Sequence, residues 1–366
     1  MMNLRPPQPD RRGFALIMVM IAIIVLSVMA AILAYSMRVE ARLSMNVNNN
    51  PQLVWMGRSG VQLDCWLIAQ EARLPYTSLN EYCFGGPGAP DETNGPLAAL
   101  APGQPQNLAH YQLGSNSWVS IQNIDQERLF NVNVASASQI QAVLNLMGVD
   151  AGAAAIVSDS ILDWVNQGDD PRISGAKNDY YQNLNPPYNC KEAPMDNISE
   201  LLLVRGITEH PNIYFGGMDS NSTAPVFHHQ LGFGGPPGAE DYPFGLKNVF
   251  TPFSNGHVNV NTAGLNVLAI VLGGDTNIAA AVMQLRAGPD LQDGTADDQP
   301  FKNVSQLQMA GVAPQVMGAL AQFCTIKSTT YEATVVAHLG DVSRVFKAIL
   351  VLSGNSVNVY NFYEEN

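Results

Sequence analysis

Two stretches of this 366-residue chain gather enough oxygen donors to hold a cation. DLQDGTADDQP (290–300) places Asp290, Asp293, Asp297 and Asp298 near a glycine. DWVNQGDDPRISGAKNDYY (163–181) places Asp163, Asn166, Asp169, Asp170 and Asp179 within one loop. Carboxylates on a flexible turn suit calcium, which accepts about six to eight oxygens. The first loop lacks the terminal Glu of an EF-hand, and an acidic solvated turn is the alternative reading of both. Lys177 sets a positive charge among the donors of the second. Cys65, Cys83, Cys190 and Cys324 allow three pairings. Cys65–Cys83 is the pair closest in sequence, and without C-x-x-C spacing zinc and redox chemistry are disfavoured.

Catalytic patterns are missing. There is no G-x-S-x-G, and the six His residues show no H-E-x-x-H or similar spacing. His228 and His229 are adjacent, so in an extended segment they point to opposite faces. GGPG (85–88) and GFGGPPG (232–238) lack the Lys or helix of a phosphate loop and read as turns. The expectation is a protein that is not an enzyme. With 18 Lys+Arg against 31 Asp+Glu the formal charge is −13, and charged residues make up only 13% of the chain. That balance argues against nucleic acid, whose phosphates require basic clusters.

The N-terminus is organised around charge. Residues 14–37, FALIMVMIAIIVLSVMAAILAYSM, run 24 positions without a charge. As a helix they would span roughly 36 Å, enough for a hydrocarbon core of about 30 Å. Arg5, Arg11 and Arg12 precede them, which orients the chain with its N-terminus in the cytoplasm and residues 38–366 outside. Exported cysteines can oxidise. A removable secretory signal, a plain uncleaved anchor and a third kind of segment compete. The apolar run is too long for the first. The third is favoured by Arg11-Arg12-Gly13-Phe14, which resembles a prepilin signal. Cleavage would then fall between Gly13 and Phe14, with the apolar helix retained and the new N-terminus at Phe14 methylated. Most pilins and pseudopilins carry Glu at the fifth mature position, where it pairs with a neighbour's ammonium. Here that position is Met18, so either the chain is not a pseudopilin or it is the subunit with none ahead of it.

The elements that must position the loops follow from pattern. Helical spacing continues to Asn48-Asn49-Asn50-Pro51, where a kink or break is expected, and resumes over 53–74. Residues 85–107 are a Gly/Pro-rich loop, and 117–124 alternate as a strand. NVNVASASQIQAVL (131–144) then aligns with NVNTAGLNVLAIVL (259–272), with identities at Asn131/Asn259, Val132/Val260, Asn133/Asn261, Ala135/Ala263, Val143/Val271 and Leu144/Leu272. NISELLLVRGIT (197–208) similarly matches NVSQLQMAGVAP (303–314). Each repeat reads as strand end, Asn-x-Asn turn, two helices, Asp-rich loop and a short helix. Ser199 and Ser305 are the expected N-caps, and Gly206 and Gly311 the left-handed ends. The unit looks like a SAM/helix-hairpin-helix module. One Arg in VRGIT and none in MAGVA favour a structural role over DNA binding. At the C-terminus, 326–338 and 342–352 read as a hairpin turning near Leu339–Asp341, with a third strand near 356–363.

Taken in order, RRGFALIMV, Met18, RLFNVN (128–133), SDSILDWVNQGDD (158–170), GAKNDYY (175–181), PMDNISELLLVRGIT (194–208) and HVNVNTA (257–263) resemble the minor pseudopilin K family of type II secretion systems. The resemblance runs over nearly the whole chain. It implies an α+β fold: a pilin-like transmembrane helix and small antiparallel sheet with a large inserted helical domain in two SAM-like repeats. The expected divisions are a leader (1–13), the transmembrane assembly helix (14–37), and the helix continuation with first strands (38–130). The first repeat (131–208), an irregular connection (209–256), the second repeat (257–324) and the last strands (325–366) follow. The resemblance further implies a non-enzymatic protein at the pseudopilus tip, supporting export of folded proteins. Its partners would be the I and J minor pseudopilins, the inner-membrane assembly platform and prepilin peptidase. It would cross the inner membrane once, keep its main domain in the periplasm, and bind calcium in the helical domain. A membrane-anchored periplasmic receptor and a minor pilin of a type IV pilus are the competing readings. Two departures matter. The family's usual G-A-E-D-x-Y-Y reads GAKNDYY here, with Lys177 and Asn178 at two acidic positions, and the 209–256 segment is longer than expected.

Overall fold

A computed structural model describes residues 12–88, 108–216 and 242–365. The leader through Asp10 and Arg11, most of the 85–107 loop, and residues 217–241 with His228, His229 and the 232–238 turn lie outside the described residues. The chain divides into two units, Met1–Met56 and Gly57–Asn366.

The first unit holds most of helix α1 (Arg12–Glu71). Gly13 and Phe14 lie in its first turn. Its Leu16–Glu40 stretch has a mean hydropathy of 3.2, is wholly exposed, and is long and apolar enough to cross a membrane. Large side chains such as Leu16, Ile24, Leu33 and Tyr35 cover nothing. At about 25 cal/mol per Å² of apolar surface, such a rod needs a non-aqueous surrounding. The break expected at Pro51 does not occur, because α1 runs through it unbroken. A proline removes one intrahelical bond while its fixed φ still suits a helix. Beyond it, buried Val61, Leu67 and Ile68 hold the helical frame.

In the second unit the end of α1 lies on a five-stranded antiparallel sheet of order β1-β2-β7-β8-β9. The strands are β1 (Tyr111–Gly114), β2 (Ser117–Asp125), β7 (Thr330–Leu339), β8 (Val342–Ser353) and β9 (Ser356–Glu365). Alternate residues face the helix, so Val119, Ile121, Ala333, Val335, Ala337, Phe346 and Ala348 are buried. Two glycines let the helix approach. A Cβ on Gly57 would strike the Phe346 ring, and one on Gly60 would stand 2.6 Å from Val335 Cγ1. Leu339 pairs with Val342 across a two-residue turn in which Gly340 has φ +58°, confirming the expected hairpin.

The chain leaves the sheet after β2 and returns at β7, and the helices lie between. The first unit of the insertion contains β3 (Phe130–Asn131), α2 (Ala137–Met147), α3 (Ala151–Val165), the single turn α4 (Asn178–Tyr181) and a 3-10 helix Ile198–Leu203. A short turn α5 (Asn212–Phe215) and β4 (Phe250–Thr251) follow, with β4 parallel to β3. The second contains β5 (Val258–Asn259), α6 (Leu265–Val271), α7 (Thr276–Arg286), a 3-10 helix Val304–Ala310, α8 (Met317–Phe323) and β6 (Cys324–Thr325). β6 runs parallel to β5. One continuous core, including Val143, Leu144, Ile161, Leu201, Val267, Leu268 and Leu307, serves both. The fold is therefore mixed helix and antiparallel sheet behind an apolar N-terminal helix.

Candidate functional site

The repeat seen in sequence is a repeated hydrogen-bond device. Asn133 Oδ1 accepts from the Met195 N–H at 2.7 Å, and its Nδ2 donates to the Met195 carbonyl at 3.1 Å. Asn261 does the same with Phe301, at 2.8 and 3.0 Å. The preceding asparagines close the turns: Asn131 Oδ1 accepts from Asn133 N–H at 2.8 Å, and Asn259 Oδ1 from Asn261 N–H at 2.9 Å. A side-chain amide presents one acceptor and one donor group in a plane, which matches a peptide unit. Each Asn-x-Asn thus fastens the start of its helix pair to the segment leading into its short 3-10 helix.

Those helices correct one expectation. Their caps are Asn197 and Asn303, not Ser199 and Ser305. Each Asn accepts from the N–H of the Ser two positions on, at 2.9 Å in both copies. Glu200 and Gln306 complete the capping boxes. Gly206 and Gly311 are left-handed as expected, with φ of +86° and +94°.

The loop after α7 separates its four aspartates. Asp293 is taken up by Arg286, whose Nε and second terminal nitrogen donate to its two oxygens at 2.9 and 2.7 Å. Arg286 is buried, and its remaining nitrogen donates to the carbonyls of Val260 and Ala263 at 2.9 and 2.7 Å. Asp293 thus locks the loop to the Asn-x-Asn turn rather than facing a cation. Asp297 and Asp298 converge on Thr295, whose hydroxyl reaches Asp297 Oδ1 at 2.8 Å, Asp298 Oδ1 at 3.2 Å and the Gln292 carbonyl at 3.2 Å. Asp290 donates its N–H to Asp297 Oδ2 at 3.1 Å. Burial pushes the Asp298 carboxyl up, and the Asp293 charge adds to this. A hydrogen bond from Thr295 holds Asp297 down. Asp298 also accepts from the N–H groups of Gly294 and Thr295, at 2.8 and 3.2 Å, so the loop is cross-bonded through its own backbone.

The loop after α3 is built differently. The Asp163 carboxylate is buried, accepts the Arg172 N–H at 3.0 Å, and pairs with Arg172 Nε at 3.6 Å. Lys177 is buried as well, with Nζ on the carbonyls of Asp163 and Asn166. Asp169, Asp170 and Asp179 are exposed, while the Asp163 carboxylate faces Arg172 and its carbonyl faces Lys177. The residues present do not fit calcium here.

Sequence reasoning missed a buried acidic web where the insertion joins the sheet. Asp125, at the end of β2, accepts from Ser328 Oγ at 2.7 Å, the Thr262 hydroxyl, and Asn259 Nδ2 at 3.3 Å. Glu127 accepts from Thr330 N–H at 3.0 Å and Thr329 Oγ1 at 2.9 Å. Burial and the Asp125 charge push the Glu127 carboxyl up to about 7. Nearby, Glu71, Glu81 and Cys83 bring their ligand atoms within 4.8 Å of one another. Lys327 donates to the carbonyls of Glu71, Leu74 and Tyr76 at 3.3, 2.9 and 3.4 Å, and its charge favours ionised Glu81. Burial drives Glu81 well above the usual carboxylate range. The expected Cys65–Cys83 bridge is not formed, since both are buried free thiols. Asp64 reaches the Cys83 carbonyl through Asn123 Nδ2, at 2.6 and 2.8 Å. Cys65, one residue on, points about 100° away round the helix.

Comparison with known proteins agrees with this architecture. Residues 112–211, from β1 through both helices of the first repeat to the turn before α5, match the family model of type II secretion system protein K. Over that segment the chain is similar to protein K of type II secretion systems. Its sequence is 25% identical over 220 residues to an Escherichia coli K12 protein described as type II secretion system protein K, a match covering 56% of this chain and 60% of that relative. Its fold is similar to that in the crystal structure of the GspK–GspI–GspJ complex from enterotoxigenic Escherichia coli. There the TM-score is 0.58 at 14% identity, covering 88% of this chain and 99% of the matched chain.

Proposed function

We propose that this chain is a minor pseudopilin that caps a type II secretion pseudopilus. The observation that carries the reading is the pairing of an exposed apolar stem with a bulky helical insertion. A helix that covers nothing in its own chain is suited to packing beside other helices and lipid. A large insertion repeats poorly along a tight fibre but fits once, at its end. Met18 supports that place, because a terminal subunit has no partner ammonium to neutralise. The similarity to protein K, and the I- and J-type subunits named in the similar complex, support minor pseudopilins as its partners.

In this reading prepilin peptidase cuts between Gly13 and Phe14 and Phe14 is methylated. The stem sits in the inner membrane beside the assembly platform, and the main domain stands in the periplasm. The paired helical units act as SAM-like structural modules rather than as an enzyme. Calcium, bound through Asp297 and Asp298, would brace the second unit. Intact-mass measurement on protein extracted from membranes of cells with active peptidase tests the assignment. Loss of residues 1–13 with one added methyl group, and co-purification with I- and J-type subunits, are expected. An intact leader, or a chain purifying alone, would favour an anchored receptor instead.

A further inference from the structure

The end of α3 offers carbonyl oxygens beyond the helix's own bonding, at the negative end of the helix dipole. Those of Asp163 and Asn166 accept hydrogen bonds from Lys177 Nζ at 2.8 and 2.6 Å. Two carbonyls and a buried carboxylate make a donor set for a hard cation, and calcium would stand about 2.3–2.6 Å from such oxygens. An ammonium already stands there. The Asp163 carboxylate beside it also has Arg172, so the pocket is supplied with positive charge from within.

The next residue follows the same logic. Asn178 Oδ1 accepts the Cys190 N–H at 2.8 Å, and its Nδ2 donates to Glu192 Oε1 at 3.1 Å. An aspartate there would set a carboxylate against Glu192 and call for a cation between them. With Glu and Asp at 177 and 178, as in the related pattern, the loop would hold two further negative charges. With Lys and Asn it holds one positive charge and a direct hydrogen bond.

We infer that Lys177 is a built-in cation standing where the resemblance implies calcium, so that the 163–181 loop binds no metal. This is independent of whether the 290–300 loop binds one. Equilibrium dialysis of the full chain in detergent with radioactive calcium tests it. Bound calcium in the wild type should be unchanged by Asp163→Asn, or by Asp169→Asn with Asp170→Asn, and should fall when Asp297 and Asp298 both become Asn. Lys177→Glu with Asn178→Asp should bind one calcium more than wild type and gain a calcium-dependent rise in Tm. A further Asp163→Asn should abolish both gains. Loss of a bound ion from the Asp169/Asp170 variant, or a Lys177/Asn178 variant that folds and gains none, would overturn the inference. A wild type that binds no calcium would fail only the reading of the 290–300 loop, and the gain-of-binding variant would still decide this one.

Discussion

Asp64 offers a quantitative test of how the acidic web is held. It is buried on α1 with Oδ1 accepting from Asn123 at 2.6 Å, while Oδ2 meets no hydrogen-bond partner. Burial pushes its carboxyl from 3.8 to about 7, with the Glu71 charge adding to the rise. A carboxyl whose folded value lies above its unfolded one binds its proton more tightly in the folded chain. Its stabilising contribution is complete below pH 3.8 and is lost as pH rises through about 7. At about 1.4 kcal/mol per pH unit, the window is worth roughly 4 kcal/mol. Asp64→Asn keeps the acceptor facing Asn123 and removes the titration. Urea unfolding of the full chain in detergent, followed by tryptophan fluorescence from pH 4.5 to 8, reads the difference. The stability of wild type relative to Asp64→Asn should decline by about 1.4 kcal/mol per unit up to about pH 7 and then level off. Two curves that stay parallel across this range would refute the argument.

Four further outcomes follow from the geometry. Asn261→Ala strands the Phe301 N–H and carbonyl in the core and should cost about 2–4 kcal/mol in urea unfolding. Asn133→Ala should cost less, because Asn133 is only half-buried. Asp293→Ala leaves the buried Arg286 without its carboxylate and should cost about 3–5 kcal/mol, equally in calcium and in chelator. Asp297→Asn with Asp298→Asn should instead change Tm only when calcium is present, as differential scanning fluorimetry would show. Gly60→Ala drives a methyl into Val335 and should lower stability by about 1–3 kcal/mol, with Val335→Ala restoring most of it.

The apolar stem, the C-terminal hairpin and the helical repeat were legible because each rests on local periodicity. The alternation in β7 and β8 and the shared Asn-x-Asn survive without knowledge of what lies opposite. What depended on distant partners was not legible. Asp293 looked equivalent to Asp290 and Asp297 until Arg286 was found beneath it. Nothing local to Asp64, Glu71 and Glu81 reports that Asn123 and Lys327 come to meet them. The break expected at Pro51 does not occur, and Leu53 and Met56 in the turn that follows are buried. Ser199 and Ser305 fit a cap by type, but each helix starts two positions earlier, with the serine N–H donating to Asn197 or Asn303.

Because β2 and β7 are immediate neighbours, with Asp125 opposite Tyr331, the helical excursion begins and ends about one strand spacing apart. Closing a loop across such ends depends only weakly on how many residues it contains. The sheet is thus indifferent to what is hung from it. The head can grow, shrink or be exchanged without shifting any strand's register, provided Asp125 and Glu127 still stitch the two ends together. Diversity in this architecture should accumulate above that seam and stop at it.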